Sequence, residues 1–362
     1  MKKTTPTSSK KIQQRLGEVI KLGIDVHLSL YVVVMKIDGS VPMRPRRFTP
    51  EAFLAWVEET RARCDRMYSC YEAGAFGYCL HRKLEALGVT NHVIRPVSWD
   101  EHGKRVKTDG RDATQMVLCL DGYLRGNRRS FSVVRVPSEA EEQKRSITRQ
   151  RGSLVNERKR LAMKARSHVL YYGGSLRGEW WKPRRWQELQ EQLTAHLVAL
   201  LEPLRSIILE ISRQIQAVEK QLEQMSGQAL PKGMGTVIYE QLEREVCDWD
   251  RFKNRRQIAG YTGLCPSEDT SDQRRFQGSI TKHGNPRMRH MLIECVWLLT
   301  QWNPGYRGIE KWRDKLLEAK LNKSGKKKII VAIARQFAVD WWKVRTGRIT
   351  PEQLGLEMKA AA

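Results

Sequence analysis

The chain has 362 residues, and its 65 Lys and Arg against 40 Asp and Glu give a formal net charge of +25. Positive charge in such excess favours a phosphate-rich partner, because each Lys or Arg that meets a phosphate releases condensed counterions. The apolar runs are too short to cross a bilayer and the polar start does not fit a secretory signal, so we expect a non-membrane protein with two cores.

The first third of the chain predicts an α/β domain. Residues 1–18 form a basic tail, and residues 19–39 hold two β-rich runs that end in an Asp-Gly turn signal. Further β-rich runs alternate with helical ones, of which one begins at Pro50 and another ends at Gly88. Strands that alternate with helices indicate a mixed sheet. We assign residues 19–165 to this domain.

The middle of the chain predicts long helices. Apolar residues recur there in steps of three and four over four heptads, at Leu193, Leu197, Leu200, Leu204, Ile207, Ile211, Ile215, Val218 and Leu222. Such a repeat indicates a coiled coil or a long helical hairpin. We assign residues 166–228 to it and expect it to join subunits into a dimer or tetramer. The alternative is an amphipathic helix that packs on its own domain.

The last third predicts a second domain, compact and largely helical, over residues 229–345, with a tail at residues 346–362. Its basic loops predict contacts with phosphate, since guanidinium groups pair two phosphate oxygens. Two further candidates for phosphate contacts, Lys107 and Arg111, stand beside the acids of the first domain. The candidates in the basic loops are Lys253, Arg255, Arg256, Arg274, Arg275, Lys282, Arg287 and Arg289. A merely solvated face is the alternative for such charge runs.

Aromatic and sulfur-containing residues add two expectations. Five tryptophans lie beside basic residues, namely Trp180, Trp181, Trp186, Trp341 and Trp342. They could stack on unpaired bases, but core packing is the role that we expect for most of them. The seven cysteines form no CxxC pair and no zinc-like spacing with His, which indicates reduced thiols in a cytoplasmic protein.

Four acids in the first third stand where a metal-dependent nuclease needs them: Asp25, Glu72, Asp109 and Asp112. Asp25 lies within a predicted strand and Glu72 ends another, while Asp109 and Asp112 share one face of a predicted helix. If they converge, they could hold two Mg²⁺ ions about 4 Å apart, as two-metal phosphoryl transfer requires. For each acid alone, a turn or helix-cap role is the alternative, although an unpaired carboxylate in an apolar strand is costly.

Five segments together resemble the DEDD transposases of bacterial insertion sequences: GIDVHLSLYVVVMKIDG, YEAG, KTDGRDA, YTGLCPSEDTS and GSITKHGNPRMRHMLIECV. They span about residues 20–300. The resemblance implies an α/β RNase H-like domain of the RuvC type, a helical coiled-coil linker, and a mainly α transposase domain that carries a nucleophilic serine. It also implies that the four acids bind the metal and that a structured guide RNA pairs with donor and target DNA.

The resemblance places the serine nucleophile at Ser271. Asp272 and Gln273 follow it where the family has glycines, so Ser267 and Ser279 remain alternative positions. A serine hydroxyl attacks phosphate only when its proton is removed or the phosphate is polarised, which bound metal and nearby arginines would promote. Without the resemblance, Ser271 has the character of an ordinary loop serine.

These observations and the resemblance together predict a Mg²⁺-dependent DNA recombinase that cleaves and exchanges strands. The resemblance implies the transient phosphoserine bond and the guide RNA. We expect the protein in the bacterial cytoplasm, on the nucleoid when it acts. One alternative is a metal-only junction-resolving nuclease, in which water attacks the phosphate. The other is a non-catalytic scaffold that binds nucleic acid.

Overall fold

The computed structural model describes residues 15–96, 108–225, 227–271, 274–317 and 322–359. The chain divides into two compact units, Met1–Val136 and Pro137–Ala362. The first unit ends before the boundary at residue 165 that the sequence predicted, while the assignment of functional domains stays a prediction. Within the described ranges, every helix is too short or too polar to span a membrane.

The first unit is built on a five-stranded mixed sheet with the order β3-β2-β1-β4-β5. Its elements are β1 (Gly17–Val26), β2 (Tyr31–Ile37), β3 (Arg46–Phe48), α1 (Pro50–Arg61), β4 (Cys64–Glu72), α2 (Cys79–Ala86), β5 (Thr90–Ile94) and α3 (Asp109–Leu124). β1 and β2 are antiparallel, as are β2 and β3, whereas β1, β4 and β5 run parallel. The predicted mixed α/β sheet is confirmed; its RuvC-type identity stays a prediction.

One face of the sheet packs against α1 and α2. Ile24 of β1 lies in a buried cluster with Phe53 of α1 and Leu84 of α2. The helix α1 begins at Pro50, as predicted, and the Thr49 hydroxyl caps it by accepting the backbone N–H of Ala52. The short edge strand β3 was missed by the sequence analysis.

The opposite face of the sheet packs against α3. The helix backbone comes so close to β1 that a Cβ atom on Gly23 would lie 2.2 Å from the carbonyl oxygen of Ala113 and 2.7 Å from the amide nitrogen of Val117. Only glycine leaves room for this approach. Because strand side chains alternate between faces, Lys21 and Asp25 point to the same side as Gly23, toward α3.

The second unit is mainly helical. Its elements are α4 (Glu139–Tyr171), α5 (Pro183–Gln190), α6 (Ala195–Met225), α7 (Thr236–Val246), α8 (Arg255–Thr262), β6 (Pro266–Ser271), β7 (Arg274–Ile280), α9 (Pro286–Trp302), α10 (Arg307–Glu310), α11 (Arg313–Leu317) and α12 (Lys323–Arg345). A core of buried side chains from α7, α8, α9 and α12 holds the C-terminal part together. The predicted helical character is confirmed, while the antiparallel hairpin of β6 and β7 was missed.

The apolar repeat of α6 packs against α4 of the same chain. Leu197 and Ile208 of α6 are buried in one cluster with Leu161 and Ala165 of α4. Of the two predicted forms, the structure therefore shows a long helical hairpin. Ile207 on the same helix is half exposed.

The five tryptophans beside basic residues are all buried: Trp180, Trp181, Trp186, Trp341 and Trp342. The first three belong to the core between α4, α5 and α6, and the last two to the C-terminal core. Core packing is thus confirmed as their role, and base stacking by these rings is wrong.

Candidate metal centre and nucleic-acid interface

Asp25 lies near the C-terminal end of β1 and faces α3, with 23% of its side chain exposed. Burial raises the pKa of Asp25, His27 acts in the opposite direction, and the negative charges of Asp109 and Asp112 raise the pKa further. The ionised carboxylate is therefore disfavoured where it stands. A bound cation would relieve both the repulsion and part of the cost of burial.

Asp109 and Asp112 form the first turn of α3. Carboxylates are stabilised there because the helix dipole and the unpaired N–H groups attract negative charge. Their spacing of three places both on one side of the helix, and the close contact at Gly23 brings that helix end beside the end of β1. The charges of both acids act on Asp25, so the fold brings three of the four predicted acids together.

His27 joins this group, although the sequence analysis did not single it out. Its Nε2 atom lies 3.3 Å from Oδ2 of Asp25 and 3.6 Å from Oδ2 of Asp109. One potential ligand atom from each of the three residues lies within 4.8 Å of the other two. The signal was available in the sequence: residues two apart in an extended segment share a face, so the Asp-x-His spacing places His27 beside Asp25.

Glu72 ends β4 on the strand next to Asp25. Ile24 pairs with Tyr71 in the parallel register, so Asp25 and Glu72 follow that pair side by side. The thiol of Cys70, two residues earlier, donates to the Met116 carbonyl of α3, which shows that this face of β4 also points to the helix. Glu72 thus stands on the Asp25 side of the sheet, outside the group of three just described.

The donor set fits a divalent cation. The carboxylates of Asp25 and Asp109 offer the hard oxygen ligands that Mg²⁺ and Mn²⁺ prefer, and an imidazole is acceptable to Mn²⁺. Half of the Asp109 side chain and half of the His27 side chain are exposed, so a phosphate could approach the group from solvent. The charge of Asp112 acts on Asp25, and Glu72 follows on the neighbouring strand, on the same side of the sheet.

The candidate serines lie on the hairpin of β6 and β7. Ser271 is the last residue of β6, and its backbone pairs with that of Arg274. Its side chain and the residues Asp272 and Gln273 lie outside the described part of the structure. The hydroxyl of Ser267 makes a structural hydrogen bond, because its Oγ donates to the Ser279 carbonyl at 3.1 Å across the hairpin. Ser279 is exposed.

The basic candidates at helix starts are exposed. Lys253, Arg255 and Arg256 surround the first turn of α8, Arg287 lies in the first turn of α9, and Arg111 in that of α3. Asn254 and Asn285 already accept two backbone N–H groups each at the starts of α8 and α9, so a phosphate there would meet the exposed basic side chains.

The remaining basic candidates differ in their surroundings. Lys107 and the side chains of Arg274 and Arg275 lie outside the described residues. Lys282 is exposed at a turn, where its φ of +57° is left-handed. The guanidinium of Arg289 donates to the Thr262 carbonyl at 3.0 Å, so it braces the turn that precedes the hairpin.

The Gly-rich turn at the base of the hairpin, formed by Gly263 before it and Gly284 after it, requires glycine at both positions. A Cβ on Gly284 would lie 2.4 Å from the Tyr261 carbonyl oxygen and 2.6 Å from the Gly263 amide nitrogen, and Gly263 itself has a φ of +66°. Asn285 caps α9 by accepting two backbone N–H groups, and its Nδ2 donates to the buried carboxylate of Glu245 at 2.8 Å. The motif residues therefore hold the base of the hairpin in one shape.

The chain is similar to known transposases over most of its length. A family model described as Transposase IS116/IS110/IS902 family matches residues 231–309, which include the Gly-rich turn and the hairpin. A Sinorhizobium fredii protein named Putative transposase y4rJ is 31% identical over 326 residues, covering 80% of this chain and 81% of the relative. The transposase for insertion sequence element IS1111A of Coxiella burnetii is 22% identical over 360 residues, covering 94% and 93%.

Proposed function

Because the chain belongs to the IS116/IS110/IS902 family of insertion-sequence transposases, we propose that it cuts and rejoins DNA with divalent metal ions held by the first unit. An enzyme that acts on DNA agrees with the net charge of +25. The observation that carries the metal proposal is the convergence of Asp25, His27 and Asp109 within 4.8 Å. These residues come from a strand end and a helix start that are far apart in the sequence.

In this proposal Asp25 and Asp109 hold the ion, and Asp112 and Glu72 complete its surroundings. A bound Mg²⁺ would polarise the scissile phosphate and stabilise the negative charge of the transition state. The raised pKa of Asp25 means that the ion competes with a proton for this carboxylate, so ion binding releases that proton at low pH.

We further propose that Ser271 is the nucleophile. Its oxygen would bond to phosphorus as the 3′ or 5′ oxygen of the DNA departs, with the serine proton passing to that departing oxygen. Attack by a DNA hydroxyl would return a proton to the serine and reverse the link. Its place at the end of β6 supports this role, because the base of that hairpin is braced by the bond from Arg289 to the Thr262 carbonyl. Of the alternatives, Ser267 already donates to a carbonyl, which leaves its proton less available.

A guide RNA and self-association belong to the same proposal. Exposed basic residues at the starts of α8 and α9 offer sequence-independent phosphate contacts for RNA or DNA. Ile207 remains half exposed on α6 after the helical hairpin has formed, so a second hairpin could pack on that side. Size-exclusion chromatography with light scattering on the Ile207→Glu variant tests association, and an unchanged mass would contradict this contact.

The proposed metal chemistry is tested by DNA cleavage in Mg²⁺ or Mn²⁺ with Asp25→Asn and Asp109→Asn. The matched control is Asp65→Asn, since Asp65 lies on the same sheet but is exposed and pairs with Arg15. We expect the first two variants to lose cleavage by about a hundredfold or more and the control to keep it. Full cleavage by Asp25→Asn would refute the metal centre.

The serine is tested separately by denaturing electrophoresis of the protein with labelled DNA. A covalent adduct that forms with the wild-type protein and with Ser267→Ala, but not with Ser271→Ala, supports the phosphoserine bond. Metal-dependent cleavage without any adduct would instead favour attack by water, as in a junction-resolving nuclease.

A further inference from the structure

A buried ion cluster lies at the far end of α3 from the candidate metal centre. Asp121 of α3 accepts a hydrogen bond from Nζ of Lys21 on β1, and its second oxygen lies 3.5 Å from Nζ of Lys36 on β2. All three residues are buried. Arg125 adds a contact of 3.1 Å from the surface. One helix carboxylate is thus held by two cations of the sheet.

The sheet fixes the positions of those two cations. Lys21 Nζ also donates to the Asp38 carbonyl at 2.8 Å, and Lys36 Nζ donates to the carbonyl of Ser40 in the same turn. Their ammonium groups are therefore bound to the backbone of the turn after β2 as well as to Asp121. A lysine held in this way has little freedom to follow the carboxylate if the helix moves.

The metal centre and the ion cluster lie at the two ends of one helix–strand contact. Lys21, Gly23 and Asp25 alternate along the same face of β1. Asp109 and Asp121 are about 18 Å apart along α3, at 1.5 Å per residue, and their directions differ by roughly 120°, so they border the face that packs on the sheet.

The contact between the two ends is mainly apolar, beside the weak hydrogen bond that the Cys70 thiol donates to the Met116 carbonyl. Ala113, Met116, Val117 and Leu120 of α3 pack against Val34 and Cys70 of the sheet, with Gly23 as the point of closest approach. The free energy of apolar packing depends on the area buried and not on direction, so it opposes sliding less than a hydrogen bond does. A slide of one helical turn, about 5.4 Å, would remove Asp109 and Asp112 from Asp25.

We propose that Asp121, Lys21 and Lys36 are positioning residues, which set the axial position of α3 on the sheet and thereby hold Asp109 and Asp112 opposite Asp25. Any slide of α3 would separate a buried carboxylate from two buried ammonium groups, which is costlier than losing a few apolar contacts. The inference rests on the proposed metal centre, because it assigns the cluster a role in building that centre.

The test is Mn²⁺ binding by the full-length protein, measured by calorimetry and by the electron paramagnetic resonance signal of the free ion. The variant is Asp121→Asn, and its matched control is Glu240→Gln. Glu240 pairs with Arg244 in the second unit, with side chains 11% and 5% exposed, against 11% and 8% for Asp121 and Lys21. The control therefore breaks an equally buried ion pair that belongs to the second unit.

We expect Asp121→Asn to weaken Mn²⁺ binding by about ten- to a hundredfold, as loss of a residue that orients metal ligands does, and Glu240→Gln to leave it unchanged. Lys21→Arg, which keeps the charge, should retain most of the affinity. If Asp121→Asn does not fold, a second variant combines Lys21→Met, Lys36→Met and Asp121→Leu. It removes the three buried charges of the ion cluster at similar volume, so it should fold. Its Mn²⁺ affinity should be about ten- to a hundredfold below that of the wild-type protein.

Two results would overturn the inference, and they are distinguishable. If a folded Asp121→Asn or combined variant binds Mn²⁺ as tightly as Glu240→Gln, the ion cluster does not position the ligands and the metal centre stands. If Mn²⁺ binding by the wild-type protein does not depend on Asp25, the metal centre itself is refuted and the inference falls with it.

Discussion

Substitution of Gly23 by alanine tests the close approach on which the candidate metal centre depends. The added Cβ would lie 2.2 Å from the Ala113 carbonyl oxygen, 2.7 Å from the Val117 amide nitrogen and 3.1 Å from the Val117 Cβ. Ordinary contacts of this kind begin near 3.4 Å, so α3 must move away from β1 by about 1 Å. Backbone atoms form the obstacle, so no side chain can turn aside.

Overpacking of a core in this way costs about 1–3 kcal/mol, and we expect the free energy of unfolding to fall by at least that amount. The displaced helix also carries Asp109 away from Asp25, so Mn²⁺ affinity should fall about tenfold or more. Urea denaturation followed by circular dichroism gives the stability, and calorimetry gives the affinity.

The control for Gly23→Ala is Gly152→Ala on α4, where a Cβ meets nothing within 4 Å. Alanine is the better helix former by roughly 0.5–1 kcal/mol, so this variant should be slightly more stable than the wild type. The two glycine substitutions thus have opposite expected signs. A Gly23→Ala protein with unchanged stability and unchanged Mn²⁺ affinity would refute the argument from close approach.

Three further predictions concern other parts of the chain. Gly284→Ala, with a Cβ 2.4 Å from the Tyr261 carbonyl, should destabilise the second unit by about 1–3 kcal/mol in urea, whereas Gly235→Ala should not. Trp180→Ala should cost about 3–5 kcal/mol in the same assay, because the ring is fully buried. The raised pKa of Asp25 means that ionisation of this carboxyl opposes folding, so the ion-free protein should lose stability as pH rises through that pKa. The Asp25→Asn variant should not show this loss. Mn²⁺ affinity of the wild-type protein should fall as pH drops through the same pKa.

The acids of the first unit were predictable because local periodicity fixes where they point. A strand residue shares a face with its second neighbour, so Asp25 in an apolar run must point to one layer of the domain. A helix start attracts acids, which explains Asp109 and Asp112. The same two-residue period also predicts that His27, just beyond the end of β1, lies beside Asp25, but the sequence analysis did not consider that position.

Other features depend on contacts that a single sequence does not encode. Lys21 and Lys36 interrupt apolar strands, a pattern that indicates solvent-exposed positions. Both are nevertheless buried and contact Asp121, which is a hundred positions away from Lys21 in the chain. The hairpin of β6 and β7 is rich in Ser, Asp, Arg and Gln rather than β-branched residues, so its strands gave no β signal.

The helical hairpin shows a third kind of limit. An apolar repeat on α6 demands a partner helix, but the repeat has the same appearance whether that partner is α4 of the same chain or a helix of another subunit. The sequence therefore left a coiled coil and a helical hairpin open, and the expectation that the repeat joins subunits stays a prediction.

The carboxylate of Glu245 links two distant stretches of the second unit. It accepts both forks of the Arg149 guanidinium from α4, at 2.9 and 3.0 Å, and the amide of Asn285 at the start of α9. A twist of α4 about its own axis would pull on Oε2, the oxygen that also accepts the Asn285 amide at the α9 cap. Strain applied to α4 would therefore reach the start of α9, which follows the hairpin that carries the serines.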